Sequence, residues 1–152
     1  MNPSMNLRLT CVALGVDDLP RASAFYEQGL GLRPSAASNE HVRFYDCGTM
    51  VLELYPRLPL ADDACVPPER LAPAGSFDNV TMACNCANRA DVDALLARAV
   101  AAGARLAKPA QEVFWGGYSG YFEDLDGHFW EVVHAPGFGL NAQGGLVLPA
   151  PE

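Results

Sequence analysis

Residues 113–136, VFWGGYSGYFEDLDGHFWEVVHAP, join a glycine-broken aromatic run, an acidic turn and a strand that carries one glutamate between Trp130 and Val132. The strand alternates. Trp130 and Val132 point one way, and Phe129, Glu131 and Val133 the other. A carboxylate on such an apolar strand must reach solvent, a donor or a cation, because an unpaired buried charge is costly.

The same arrangement occurs earlier. In MVLELYP, Met50, Leu52 and Leu54 share one face, and Val51, Glu53 and Tyr55 the other. Ahead of each glutamate strand lies a strand followed by a helix. LRLTCVALGV (7–16) precedes DDLPRASAFYEQGLGL, where Asp18 caps, Pro20 suits a first turn and Gly29 and Gly31 mark the stop. NVTMACNC (79–86) precedes NRADVDALLARAVAAGARL, capped by Asn88, with an apolar stripe of Val92, Leu95, Leu96, Ala99 and Val100 that ends at Gly103. Both helices read as covers for the core.

The register of this internal repeat can be counted. Cys11 to Thr81 is an offset of 70, whereas Asp46 to Asp124 and Glu53 to Glu131 are offsets of 78. The second half thus carries eight more residues between helix and last hairpin, with VFWGGYSG the candidate for them. The expected organisation is one α+β domain over 1–152, built of two tandem β-α-β-β-β modules at 5–56 and 78–136. Residues 57–77 read as an irregular linker and 137–152 as an irregular C-terminal tail, both rich in proline and glycine.

Composition bounds the partners. The 152 residues are 50% hydrophobic and 18% charged, which describes a folded globule. A net charge of −8 argues against nucleic acid or an anionic membrane surface. No apolar run spans a membrane and MNPSMNLRL lacks signal-peptide architecture, so the expected location is cytoplasmic. Five irregularly spaced cysteines do not suggest a disulfide framework, and Cys84-Asn85-Cys86 is too tight for a metal knuckle. GLGL is a helix stop, not a dinucleotide fingerprint, and no Ser/His/Asp or Cys/His order stands out.

The motifs LGVDDLPRASAFYEQGLGL and YFEDLDGHFWEVVHAP resemble those of the vicinal oxygen chelate superfamily, which contains glyoxalase I, bleomycin-resistance proteins and extradiol dioxygenases. Leu125 stands where that family commonly has proline. The resemblance implies sheets that wrap a cup, and a homodimer. It also implies four ligand positions in metal-dependent members, one on the first and one on the last strand of each module. Here these fall on Cys11, Glu53, Thr81 and Glu131. Both carboxylates match, while the histidine or glutamine donors are replaced by Cys11 and Thr81. Two carboxylates and a hydroxyl make a poor site for zinc, nickel, manganese or iron.

His128 and His134 fall on the face opposite Glu131, and His41 opens a strand near a loop; none repairs the donor set. The leading expectation is therefore a protein that binds a small organic molecule in the cup without a transition metal. Glu53 and Glu131 are the candidate catalytic residues if it is an enzyme. Cys11, Tyr55, Thr81, Asn85, Trp115, Tyr118 and Phe129 are the candidate ligand contacts, with Trp115 and Tyr118 able to stack on a planar ligand or to fold onto the protein's own core. The alternative is a metal-dependent lyase or isomerase of glyoxalase type using Glu53, Glu131 and Cys11. A ring-cleaving dioxygenase, which needs two histidines and a carboxylate, ranks last.

Overall fold

β1 (Cys11–Val16) runs into α1 (Leu19–Ala24), where Asp18 accepts the Arg21 backbone N–H at 3.0 Å and Pro20 sits in the first turn. The helix continues as a π-helical turn over Phe25–Gly29, which buries Phe25 and Tyr26. β2 (Arg43–Asp46) and β3 (Val51–Pro56) form an antiparallel pair, and β1 joins β3 in parallel. The strand order is β1-β3-β2. The computed structural model describes residues 7–151, so residues 5 and 6 of the first expected module lie outside it.

The second module repeats the plan. β4 (Thr81–Asn85) leads to α3 (Arg89–Ala101), capped by Asn88 accepting the Asp91 N–H at 2.8 Å. β5 (Arg105–Glu112), β6 (Tyr118–Glu123) and β7 (Phe129–His134) follow in order β4-β7-β6-β5. In each module the first strand pairs in parallel with the last, and the register places Ala13 beside Glu53 and Ala83 beside Glu131. The two glutamates hold equivalent positions.

One apolar core serves both modules. Leu52, Leu54 and Val132 are buried in it with Val92 and Leu96 of α3, and Trp130 packs against it. The parity that buries these residues turns Glu53 and Glu131 to the opposite faces of their sheets. Across the modules the rings of Phe25 and Phe122 lie 6.4 Å apart, and Phe122 stacks on Trp130 at 6.1 Å.

Three segments differ from the sequence reading. The linker contains a helix, α2 (Arg57–Asp63). Pro59 falls in its first turn, where the backbone N–H groups lack helical acceptors anyway, so the proline does not forbid it. In the first module the strand after the helix shrinks to one bridge between Pro34 and Tyr45; proline cannot donate to a ladder. Its counterpart β5 is eight residues long, so the surplus of the second half goes into a strand and its turn. Last, the tail is not wholly irregular. β8 (Gly139–Leu140) and β9 (Leu146–Val147) pair as a hairpin. No helix among the described residues is long and apolar enough to cross a membrane.

Candidate functional site

On the first sheet the face away from the core presents Cys11 and Ala13 of β1 beside Val51, Glu53 and Tyr55 of β3. Phe44 lies directly across from Glu53 on β2. The Cys11 thiol donates to Glu53 Oε2 at 3.5 Å. Partial loss of solvent, then the Glu53 carboxylate, push that thiol up from its ordinary range.

On the second sheet the equivalent face carries Thr81, Ala83 and Asn85 of β4 and Phe129, Glu131 and Val133 of β7. β6 adds Ser119 and Tyr121, the latter directly opposite Glu131. Ser119 is 2% exposed and its hydroxyl donates to Glu131 Oε2 at 2.8 Å. Burial and the neighbouring Glu131 charge push the Tyr121 phenol up, so it stays a donor at neutral pH. Phe129 meets Phe77 of the linker edge-to-face at 5.7 Å. Asn85 also lines a cavity of about 200 Å³ beneath the tail, together with Cys86, His134, Phe138 and Leu140.

Two expected ligand contacts lie elsewhere. Tyr118 is on the helix side of β6, not the Glu131 side; its hydroxyl donates to Asp93 at 2.6 Å and its ring lies 5.0 Å below the Arg89 guanidinium. One residue of register separates it from Ser119, and one residue is a change of face. Trp115 sits on the β5–β6 turn, half-exposed, with its ring packed over Gly117. The residues missed by sequence reasoning are Ser119, Tyr121 and Phe44. Counting back from Glu131 through the β6–β7 hairpin would have found the first two.

The histidines serve the fold. The His128 ring bonds the Gly15 carbonyl at 2.8 Å and the His134 ring bonds the Cys86 carbonyl at 3.1 Å. His41 is exposed beside Glu40. Among the described residues no group of three or more His, Cys, Asp or Glu side chains converges, so Cys11 and Glu53 come together while Glu131 does not join them. Glu53 has beside it a thiol that is pushed toward its protonated form, and Glu131 has a hydroxyl, with no imidazole on either face.

Across residues 8–132 the chain matches the model of the Glyoxalase/Bleomycin resistance protein/Dioxygenase superfamily. It belongs to that superfamily. A glyoxalase-related enzyme from Fulvimarina pelagi has a similar structure, with 30% identity, a TM-score of 0.82, and coverage of 94% of this chain and 99% of the other. A lactoylglutathione lyase from Agrobacterium tumefaciens shares the fold at 24% identity and a TM-score of 0.64, over 92% of this chain and 100% of that one. TioX from Micromonospora sp. ML1 does so at 24% identity and a TM-score of 0.59, over 84% and 98%. No curated protein sequence matches the chain.

Proposed function

We propose that this chain binds a small organic molecule on its glutamate-bearing faces, without a transition metal, and that two copies pair so that each cup combines a Glu53 face with a Glu131 face. The observation that carries the reading is the buried Ser119 hydroxyl bonded to Glu131. A carboxylate offers about four acceptor positions; Ser119 fills one and fixes the orientation of the group, and the Tyr121 hydroxyl stands beside it as a second donor. The remaining positions suit a ligand that presents N–H or O–H donors. Phe44, Tyr121 and Phe129 give such a ligand apolar and aromatic surface.

Pairing of two copies is supported by exposure. Cys11, Ala13, Thr81 and Ala83 are exposed although they sit on paired strands. An open concave face on each sheet is half of a cup, and a twofold dimer would close both halves at once.

The lyase reading is supported by the equivalence of Glu53 and Glu131 and by one structural neighbour that carries the name lactoylglutathione lyase. Zinc, nickel, iron and manganese titrated separately into chelator-stripped protein, with thermal stability as readout, separate the two. The expected result is no specific stabilisation by any of the metals. A large upward shift that disappears in Glu53→Gln would overturn the metal-free reading and promote the lyase.

A further inference from the structure

We infer that the cleft between β1, α2 and the segment leading into β4 is a second ligand site, for a molecule with an apolar body and an anionic head. The cleft encloses about 510 Å³, inside the range of roughly 300–1,000 Å³ typical of small-molecule pockets. Its floor is apolar: Leu14 of β1 and Met82 of β4 meet Leu60 of α2 and Phe77 of the linker there. The linker is held over it in part by Gly127, whose positive φ and missing Cβ let the Gly75 backbone pass close; a Cβ there would stand 2.8 Å from Gly75.

The charged lining sets the sign of the ligand. Arg57 and Arg70 border the cleft against one acid, Asp78. In a chain of net charge −8 this local balance runs opposite to the whole. Arg57 is committed to the fold, with Nη2 donating to the Ala72 carbonyl at 2.5 Å and Nε 3.8 Å from Asp17. The Arg70 side chain makes no hydrogen bond or ion pair among the described residues, and it is exposed on a short 3-10 turn. It is the cation free to meet a carboxylate, sulfonate or phosphate. Phe77 and Val80 leave more than half their surface open beside it, which gives the apolar body of such a ligand a place to bury area.

The site is distinct from the glutamate faces. Leu14 and Met82 point to the core side of their strands, and the cleft shares only Ala13 and Gly15 with the Glu53 face. Its roof, α2, belongs to neither repeated module.

Two fluorescent probes with the same kind of aromatic body test the assignment: 8-anilinonaphthalene-1-sulfonate, an anion, and N-phenyl-1-naphthylamine, which lacks the sulfonate. Wild-type protein should bind the anionic probe saturably, at about one site per chain, as a single well-formed pocket does. Arg70→Gln should weaken the anionic probe about tenfold, the loss expected for one charge-assisted contact, and change the neutral probe by no more than about twofold. Ala61→Trp, which fills the cleft from α2, should reduce both. An unchanged melting temperature in Arg70→Gln shows that its loss is local. Equal affinity of the anion for wild type and Arg70→Gln, non-saturable uptake, or a loss of binding in Glu131→Gln would overturn the proposal.

Discussion

The Tyr26 hydroxyl donates to Asp124 Oδ2 at 2.5 Å and accepts from Trp130 Nε1 at 3.0 Å, tying the helical turn of the first module to the β6–β7 turn of the second. Asp124 is 6% exposed, and its other oxygen takes the backbone N–H groups of Asp126 and His128, each at 2.9 Å. Burial, and then the Asp124 charge, push the phenol well above its ordinary range, so it remains a donor. Tyr26→Phe strands the indole N–H and one carboxylate oxygen in a dry place. The expected cost is about 1–3 kcal/mol, seen as a lower denaturation midpoint at unchanged slope. An unchanged midpoint would mean that the bond contributes nothing net.

Asp126 gives a pH signature from the same turn. It accepts the Asp17 backbone N–H at 2.9 Å and lies 3.6 Å from Arg21. Burial outweighs both and pushes its carboxyl up from the usual range. The folded protein then holds this proton more tightly than the unfolded chain does. The associated stability is present at low pH and is lost as pH rises through and above about 3.9, the ordinary aspartate value. Asp126→Asn keeps an oxygen for Asp17 and removes the titration. Urea midpoints of the variant should fall less with rising pH than those of wild type over this window; parallel curves would refute the assignment.

The thiols differ in reactivity by position. Cys84 is next to last in β4 with Cys86 two residues on, and the Cys86 thiol, acting as donor, brings the Cys84 thiol down from its ordinary range. Burial pushes Cys47 up, and Cys11 is pushed up as well. Alkylation followed by peptide mass analysis should give Cys84 a rate–pH midpoint below those of Cys11 and Cys47. In Cys86→Ala that midpoint should move upward. A Cys84 midpoint that ignores the substitution counts against the bond.

The fold could be read because the chain states it twice. Period-2 alternation around Glu53 and again around Glu131, with helices capped at Asp18 and Asn88, fixes strand faces and element order from local chemistry alone. The site was less legible. Ser119 and Tyr121 reach the Glu131 face only through the β6–β7 register, in which Glu123 pairs with Phe129 across residues 124–128. Aromatic bulk drew attention to Tyr118 instead, one residue away and on the wrong side. The path of the linker is set by long-range contacts such as Arg57 to Ala72 and Gly75 against Gly127, and no sequence period encodes these. The cleft under α2 was invisible for that reason.

The last prediction separates a binding carboxylate from a structural one. Glu131 is half-buried; the Ser119 hydroxyl donates to it, and the Tyr121 hydroxyl is its other neighbouring donor. A group retained for packing would have its acceptor positions satisfied within the protein; one retained for a ligand is left underbonded, and the unliganded fold bears the desolvation. Glu131→Gln preserves shape and an oxygen for Ser119 while removing the charge. If the carboxylate serves a ligand, the variant should be as stable as wild type or more so, by up to about 1 kcal/mol, the usual result of relaxing a functional site. Ser119→Ala should instead destabilise by about 1–3 kcal/mol, because it takes the buried hydroxyl donor away from a charged carboxylate and leaves only Tyr121 beside it. In the double variant most of the Ser119→Ala loss should disappear, since a neutral amide needs that donor less. Chemical denaturation of the four proteins measures the cycle. A Glu131→Gln variant that loses several kcal/mol would make the pair a structural bond and remove the main support for a ligand site on this face.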